Sequence, residues 1–134
     1  MEGTRERHLV AEARVGVLGT VTPDGHAHAV PCCFALEGGV VYSAVDGKPK
    51  STQALRRLDN VRANPNITLL VHQYDEDWST LWWVRVDGCG RIVTSGDERR
   101  AALRLLSGKY PQYRSAPPPG EVMALDIERW RSWP

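Results

Sequence analysis

Residues 15–36 read VGVLGTVTPDGHAHAVPCCFAL, and the fold follows from how this stretch divides. Val15 to Val21 is an apolar run with two glycines. It reads as a strand with close backbone packing, a bulge or a barrel bend. Thr22-Pro23-Asp24-Gly25 carries the residues of a tight turn. His26 to Leu36 then reads as a second strand, folded back on the first. Pro31 in its middle has no N–H to give to a ladder, so the strand is an edge, is bulged, or faces a ligand at that point.

Outward from this hairpin the same punctuation recurs. Gly38-Gly39 turns the chain into a third strand, Val40 to Val45. Thr52 to Arg62 has Leu55, Leu58 and Val61 at helical spacing, and Asn64-Pro65 closes that helix. Ile67 to Val71 is apolar almost throughout and reads as a central strand. Leu81 to Val86 begins a fifth strand, which Arg91 to Val93 resumes after a bend or tight turn at Gly88 and Gly90. Asp97 to Lys109 is helical, and Tyr110-Pro111 ends it. Glu121 to Ile127 is the last strand, with Trp130 and Trp133 finishing the chain. Arg5 to Ala13 fits a short opening helix. Strands joined by tight turns argue against alternating βαβ units. The expected fold is mainly β: one domain over residues 1–134, a six-stranded antiparallel barrel with peripheral helices. No GxGxxG follows a strand and no GxxxxGK[ST] occurs, so neither a dinucleotide fold nor a P-loop is expected.

Composition narrows the function. The 134 residues carry 17 Lys and Arg against 16 Asp and Glu, a formal net charge of +1, which argues against a nucleic-acid binder. No apolar run is long enough to span a bilayer, and the first residues lack an apolar secretion segment. A cytoplasmic protein without stable membrane insertion is expected. Cys32, Cys33 and Cys89 form no CxxC pair and read as reduced, small apolar or turn residues. His26 and His28 alternate as on one strand face without a third metal ligand at a telling spacing. His8 and His72 read as surface or groove residues.

The most suggestive segment is Asp46-Gly47-Lys48-Pro49-Lys50-Ser51-Thr52, followed by Arg56 and Arg57. A rigid turn, hydroxyls at the start of a helix and several cations suit a phosphate. A solvated basic turn before an ordinary helix is the alternative. Trp78, Trp82 and Trp83 fall close together, and on a strand Trp82 and Trp83 point to opposite faces. One fills the barrel while the other meets solvent, a ligand or a partner. The acidic cluster Asp75-Glu76-Asp77 identifies no paired acid and base. Any chemistry therefore belongs to a cofactor rather than to a protein nucleophile, and no catalytic residue or metal ligand is nominated.

Five pieces in order, VGVLGTVTPDGHAHAVPCCFAL, VVYSAVDGKPK, LRRLDNVRANPNITLLVHQYDEDWSTLWWVRVDGCGRIV, KYPQYR and VMALDIERW, cover most of residues 13–130. Together they resemble the pyridoxamine 5'-phosphate oxidase-like split β-barrel family. More narrowly, they resemble its actinobacterial branch predicted to use the deazaflavin coenzyme F-420. The resemblance implies a homodimer with two cofactor grooves at the subunit interface. It implies that the cofactor phosphate meets Lys48, Lys50, Ser51 and Arg57, that Ser43 and Val45 lie along the cofactor, and that Pro31 and Cys32 line the ring side. Trp78 would come from the loop that closes the groove. The implied activity is hydride transfer between reduced deazaflavin and a small organic acceptor. An FMN-dependent flavoprotein like the pyridoxamine-phosphate enzyme is the alternative, and a noncatalytic cofactor-binding protein is another.

Overall fold

The opening hairpin is present as read. In the computed structural model, which describes residues 4–44 and 52–134 (the backbone alone at residues 52–55), β1 (Gly16–Val21) pairs antiparallel with β2 (Ala27–Cys32). Gly25 closes the turn at φ 90°, a conformation open to glycine at little cost. The second strand does not run on to Leu36. It stops at Cys32, and a separate β3 (Ala35–Glu37) pairs with β4 (Val40–Ala44). The sheet therefore has seven strands rather than six, in the order β2-β1-β5-β6-β7-β4-β3, with β5 (Asn66–Gln73), β6 (Trp82–Val93) and β7 (Val122–Trp133).

That order explains the barrel. β2 and β3 are the two edges of the sheet, yet only Cys33 and Phe34 separate them in the chain. The sheet must curl until its edges meet, and covalent continuity joins them there. Pro31 stands on β2, an edge strand, where its missing N–H breaks no two-sided ladder.

Two further expectations are corrected. β6 does not bend at its glycines but runs unbroken from Trp82 to Val93, with a register shift between Asp87 and Gly88. The glycines serve close approach instead. A Cβ on Gly88 would run into the Asp126 carbonyl, and one on Gly90 would lie 2.6 Å from Ile67 and 2.9 Å from Val61. β7 does not stop at Ile127. The long β6 gives it a partner as far as Trp83, opposite Trp133.

The helices close the structure. α1 (Thr4–Glu12) and α2 (Thr52–Ala63) send Val10, Leu58 and Val61 into the barrel core, beside Leu18, Phe34, Leu69, Val84, Val86 and Leu125. α3 (Gly96–Lys109) lays Ala102 and Leu106 against Tyr42, Ala44, Val122 and Ala124 on the outside of β4 and β7. A short α4 (Pro111–Ser115) follows where the sequence pattern predicts only the end of a helix. Proline is tolerated in a first helical turn, where its N–H would be unpaired anyway. Among the described residues no helix is long and apolar enough to cross a membrane.

Candidate cofactor site

The barrel seam gathers three of the residues singled out in the sequence. Cys32 is the last residue of β2, and its thiol turns into the core. Ser43 lies opposite on β4, 4% exposed, and its hydroxyl donates to the Cys33 carbonyl at 2.8 Å. Arg57 on α2 is half-buried and close enough for its charge to act on the Cys32 thiol. Burial pushes that thiol's pKa up, while the Ser43 hydroxyl and the Arg57 and Lys109 charges pull the other way. Among the described residues Arg57 forms no ion pair. Val45, Lys48, Lys50 and Ser51 lie outside the described residues.

Pro31 and Cys32 point to opposite faces of β2: Pro31 is exposed and Cys32 is buried. A ligand laid on the outer face meets the Pro31 ring and, from Cys32, backbone alone. On that face the register aligns Pro31, Val17, Leu70, Arg85 and Arg131 in one row across five strands. Directly opposed residues share a face, so the row marks a sheet surface that no helix covers at Pro31 or Arg131, both exposed.

Trp78 does not join the seam cluster. It rides a single 3-10 turn (Trp78–Thr80) between β5 and β6, 69% exposed. Asp77 caps that turn by accepting from the Ser79 N–H, and the Trp78 indole donates to the Tyr74 hydroxyl at 3.3 Å. Register places this turn at the end of the sheet where β2 finishes, since Cys32 opposes Gly16, Val17 opposes Leu70, and β5 continues to Gln73. Trp82 packs against the barrel core, and both Trp82 and Trp83 border a groove that His72 and Trp133 also line.

Sequence reading missed the clamp on the strand break. The Tyr110 hydroxyl accepts from the Phe34 N–H at 3.1 Å, and its proton faces the Arg14 carbonyl at 2.9 Å and the Phe34 carbonyl at 3.0 Å. The Lys109 ammonium donates to the Phe34 carbonyl at 2.9 Å and sits 4.0 Å from the Phe34 ring centroid. Burial, then the neighbouring Arg14 charge, lowers the Lys109 pKa to about 8. Burial raises the Tyr110 hydroxyl to about 12. Lys109 and Tyr110 read in the sequence as the end of a helix and as part of KYPQYR; nothing local to that string says that it reaches a strand break 76 residues away. Among the described residues no three His, Cys, Asp or Glu side chains gather as metal ligands.

The sequence pattern described as pyridoxamine 5'-phosphate oxidase matches residues 5–134. The chain belongs to the pyridoxamine 5'-phosphate oxidase family. Solved structures repeat this family's barrel. The conserved hypothetical protein Rv2991 from Mycobacterium tuberculosis superposes with a TM-score of 0.80 at 21% identity, over 99% of this chain and 84% of that one. A heme binding protein from Mycobacterium smegmatis gives 0.76 at 21% identity, over 95% of this chain and 51% of that one. An F420 Reductase gives 0.69 at 22% identity, over 93% and 94%. At these identities the likeness is one of fold. Among curated proteins no sequence matches the chain.

Proposed function

We propose that this member of the family is an oxidoreductase that holds a phosphate-bearing flavin-type cofactor in a groove between two copies of itself and serves a small organic acceptor. The observation that carries this reading is Arg57. It is a partly buried arginine without an ion-pair partner among the described residues, and it lies beside the barrel seam on the helix that follows the basic segment in sequence. A partly buried cation is stabilised by an anion beside it, and a guanidinium matches phosphate with a fork of donors.

When bound, such a cofactor supplies a ring that takes up or gives hydride. The chain does the rest. Arg57, with Lys48, Lys50 and Ser51 before it, holds the phosphate; Ser43 and Val45 lie along the cofactor. The edge backbone around Pro31 and Cys32 meets the ring, and Trp78 closes the groove against water. The uncovered row from Pro31 to Arg131 is the face that a second subunit would cover.

The family match supports FMN most directly. The deazaflavin coenzyme F-420 is the second reading, favoured by the DGKPK and DEDWSTLWW segments and by the fold shared with an F420 Reductase. Parallel titrations of the purified protein with FMN and with F-420, followed by cofactor absorbance, separate the two. Arg57→Ala is expected to weaken the bound cofactor by roughly 10- to 100-fold, the range of a hydrogen bond to a charged group. Saturable binding of neither cofactor overturns the proposal, and sedimentation that finds only monomer overturns its two-subunit groove.

A further inference from the structure

We infer that α2 is tied to the β1–β2 hairpin through a buried seat for one water molecule, walled by Asn60, Thr20 and His28. Asn60 on α2 is 0% exposed, and its amide Nδ2 donates to the Thr20 Oγ1 at 3.1 Å. Thr20 is itself buried on β1 and is the register partner of His28 on β2. Directly opposed residues share a face, with Cβ atoms about 4.5–5.5 Å apart. The imidazole and the amide therefore both neighbour the Thr20 hydroxyl. Asn60 Oδ1 and His28 Nδ1 are shut off from solvent, and neither has a hydrogen-bond partner among the described residues.

Buried polar atoms are bonded as a rule, so two unpaired ones beside a single hydroxyl call for a shared partner. Turning the Asn60 amide over does not supply one. It offers Thr20 the carbonyl and leaves Nδ2 unpaired instead. An amide oxygen only accepts, an imidazole nitrogen gives or takes according to tautomer, and a threonine hydroxyl does both. A water molecule meets all three. It gives a proton to Asn60, takes the Thr20 proton, and completes its bonding with His28 in either tautomer. Buried waters typically make about three such bonds to groups that are otherwise unpaired. A metal ion fits less well, because the seat has no carboxylate or thiolate to balance its charge, and among the described residues no three His, Cys, Asp or Glu side chains gather.

The place of the seat gives it a task. By alternation β2 turns His28, Val30 and Cys32 to one face, and Arg57 acts on Cys32 at the far end of that row. Asn60 follows Arg57 on α2 by about one helical turn. The helix thus meets the hairpin at two polar points, Arg57 toward the seam and Asn60 toward the turn. The water fixes the second point, which makes Asn60 a positioning residue for Arg57. That role rests on the function proposed above; the water seat does not.

A crystal structure of the full chain, at a resolution that orders solvent, tests the seat without any variant. The expected result is a water within hydrogen-bond distance of both Asn60 Oδ1 and His28 Nδ1. A direct bond between the two side chains, or no density between them, overturns the inference. Urea unfolding tests whether the two residues share a partner. Asn60→Leu and His28→Phe are each expected to lower the midpoint. The double variant should lower it by less than their sum, since replacing both sides leaves less unpaired. Additive losses overturn the shared water. Titration with FMN and with F-420 tests the positioning role, with circular dichroism melting to check that each variant is folded. Asn60→Leu is expected to weaken the bound cofactor when it is the sole change and to add nothing to Arg57→Ala. Equal losses in both backgrounds overturn the link to Arg57. Saturable binding of neither cofactor, with the water found, defeats the oxidoreductase reading alone. Cofactor binding without the water defeats the seat alone.

Discussion

Tyr110 and Phe34 are joined by a hydrogen bond that no strand supplies: the Phe34 N–H donates to the Tyr110 hydroxyl at 3.1 Å. Phe34 is fully buried and stands in the gap between β2 and β3. A buried N–H at such a gap has lost its ladder partner and must find another. Tyr110 supplies it from the end of α3, and so holds the point where the two sheet edges become one chain.

Tyr110→Phe leaves that N–H unsatisfied without changing the ring packing. The expected cost is about 1–3 kcal/mol, the desolvation penalty of one buried polar group. Urea unfolding of wild type and variant measures it. Equal midpoints and slopes would mean that water or another group replaces the hydroxyl, and the clamp would lose its structural role.

Lys109 gives the same clamp a pH dependence. Its pKa is lowered from 10.5 to about 8, first by burial and second by Arg14, with Cys33, Glu12 and Cys32 acting in the opposite direction. Between those values the unfolded chain keeps the proton and the folded chain releases it, so stability from this group rises with pH. Wild type is expected to gain stability relative to Lys109→Met as pH goes from about 8 to about 10, read as the difference between the two urea profiles. A constant difference across that window would refute the shift.

How much of this was legible is best seen at two places. The hairpin of β1 and β2 and the helix from Thr52 were readable because Pro23-Asp24-Gly25, Asn64-Pro65 and the apolar spacing act locally. The break at Cys33-Phe34 was not readable. Residues 26–36 carry no turn residue after Pro31, and the strand ends because a distant tyrosine takes over its backbone bonding. Gly88 and Gly90 misled for a related reason. Glycine marks both bends and close approaches, and only the facing Asp126 carbonyl and Ile67 side chain decide which. Of the site, Arg57 and Ser43 emerge beside Cys32. The aromatic groove depends on Trp133, whose place on a strand is set by the length of β6 rather than by its own neighbours in sequence.

Glu98 controls the acid side. Arg91 binds it through two donors at 2.6 and 2.7 Å, and the Tyr42 hydroxyl donates to it at 2.8 Å. These bonds, Arg91 first, hold its pKa down to about 2 from 4.5. A lowered carboxyl pKa gives stability that is present above about 4.5 and is lost as pH falls toward about 2. Glu98→Gln should flatten the wild-type loss across that window, and the carboxyl carbon chemical shift of Glu98 should titrate well below the usual range. An ordinary glutamate midpoint would refute the network.

Two glycine substitutions test the packing argument in opposite directions. At Gly88 an added methyl meets the Asp126 backbone carbonyl, and backbone on a paired strand cannot step aside as a side-chain tip can. Gly88→Ala is therefore expected to cost about 1–3 kcal/mol or more through overpacking. Gly108 lies within α3 and carries no positive φ, and a methyl added there would meet nothing within 4 Å beyond the helix's own neighbouring backbone. Gly108→Ala is expected to add about 0.5–1 kcal/mol by lowering the freedom of the unfolded chain. Thermal melts of both variants against wild type decide the matter. Opposite shifts support close approach at Gly88 as the reason for its glycine; a neutral Gly88→Ala would mean that the register shift between Asp87 and Gly88 relaxes to admit a side chain.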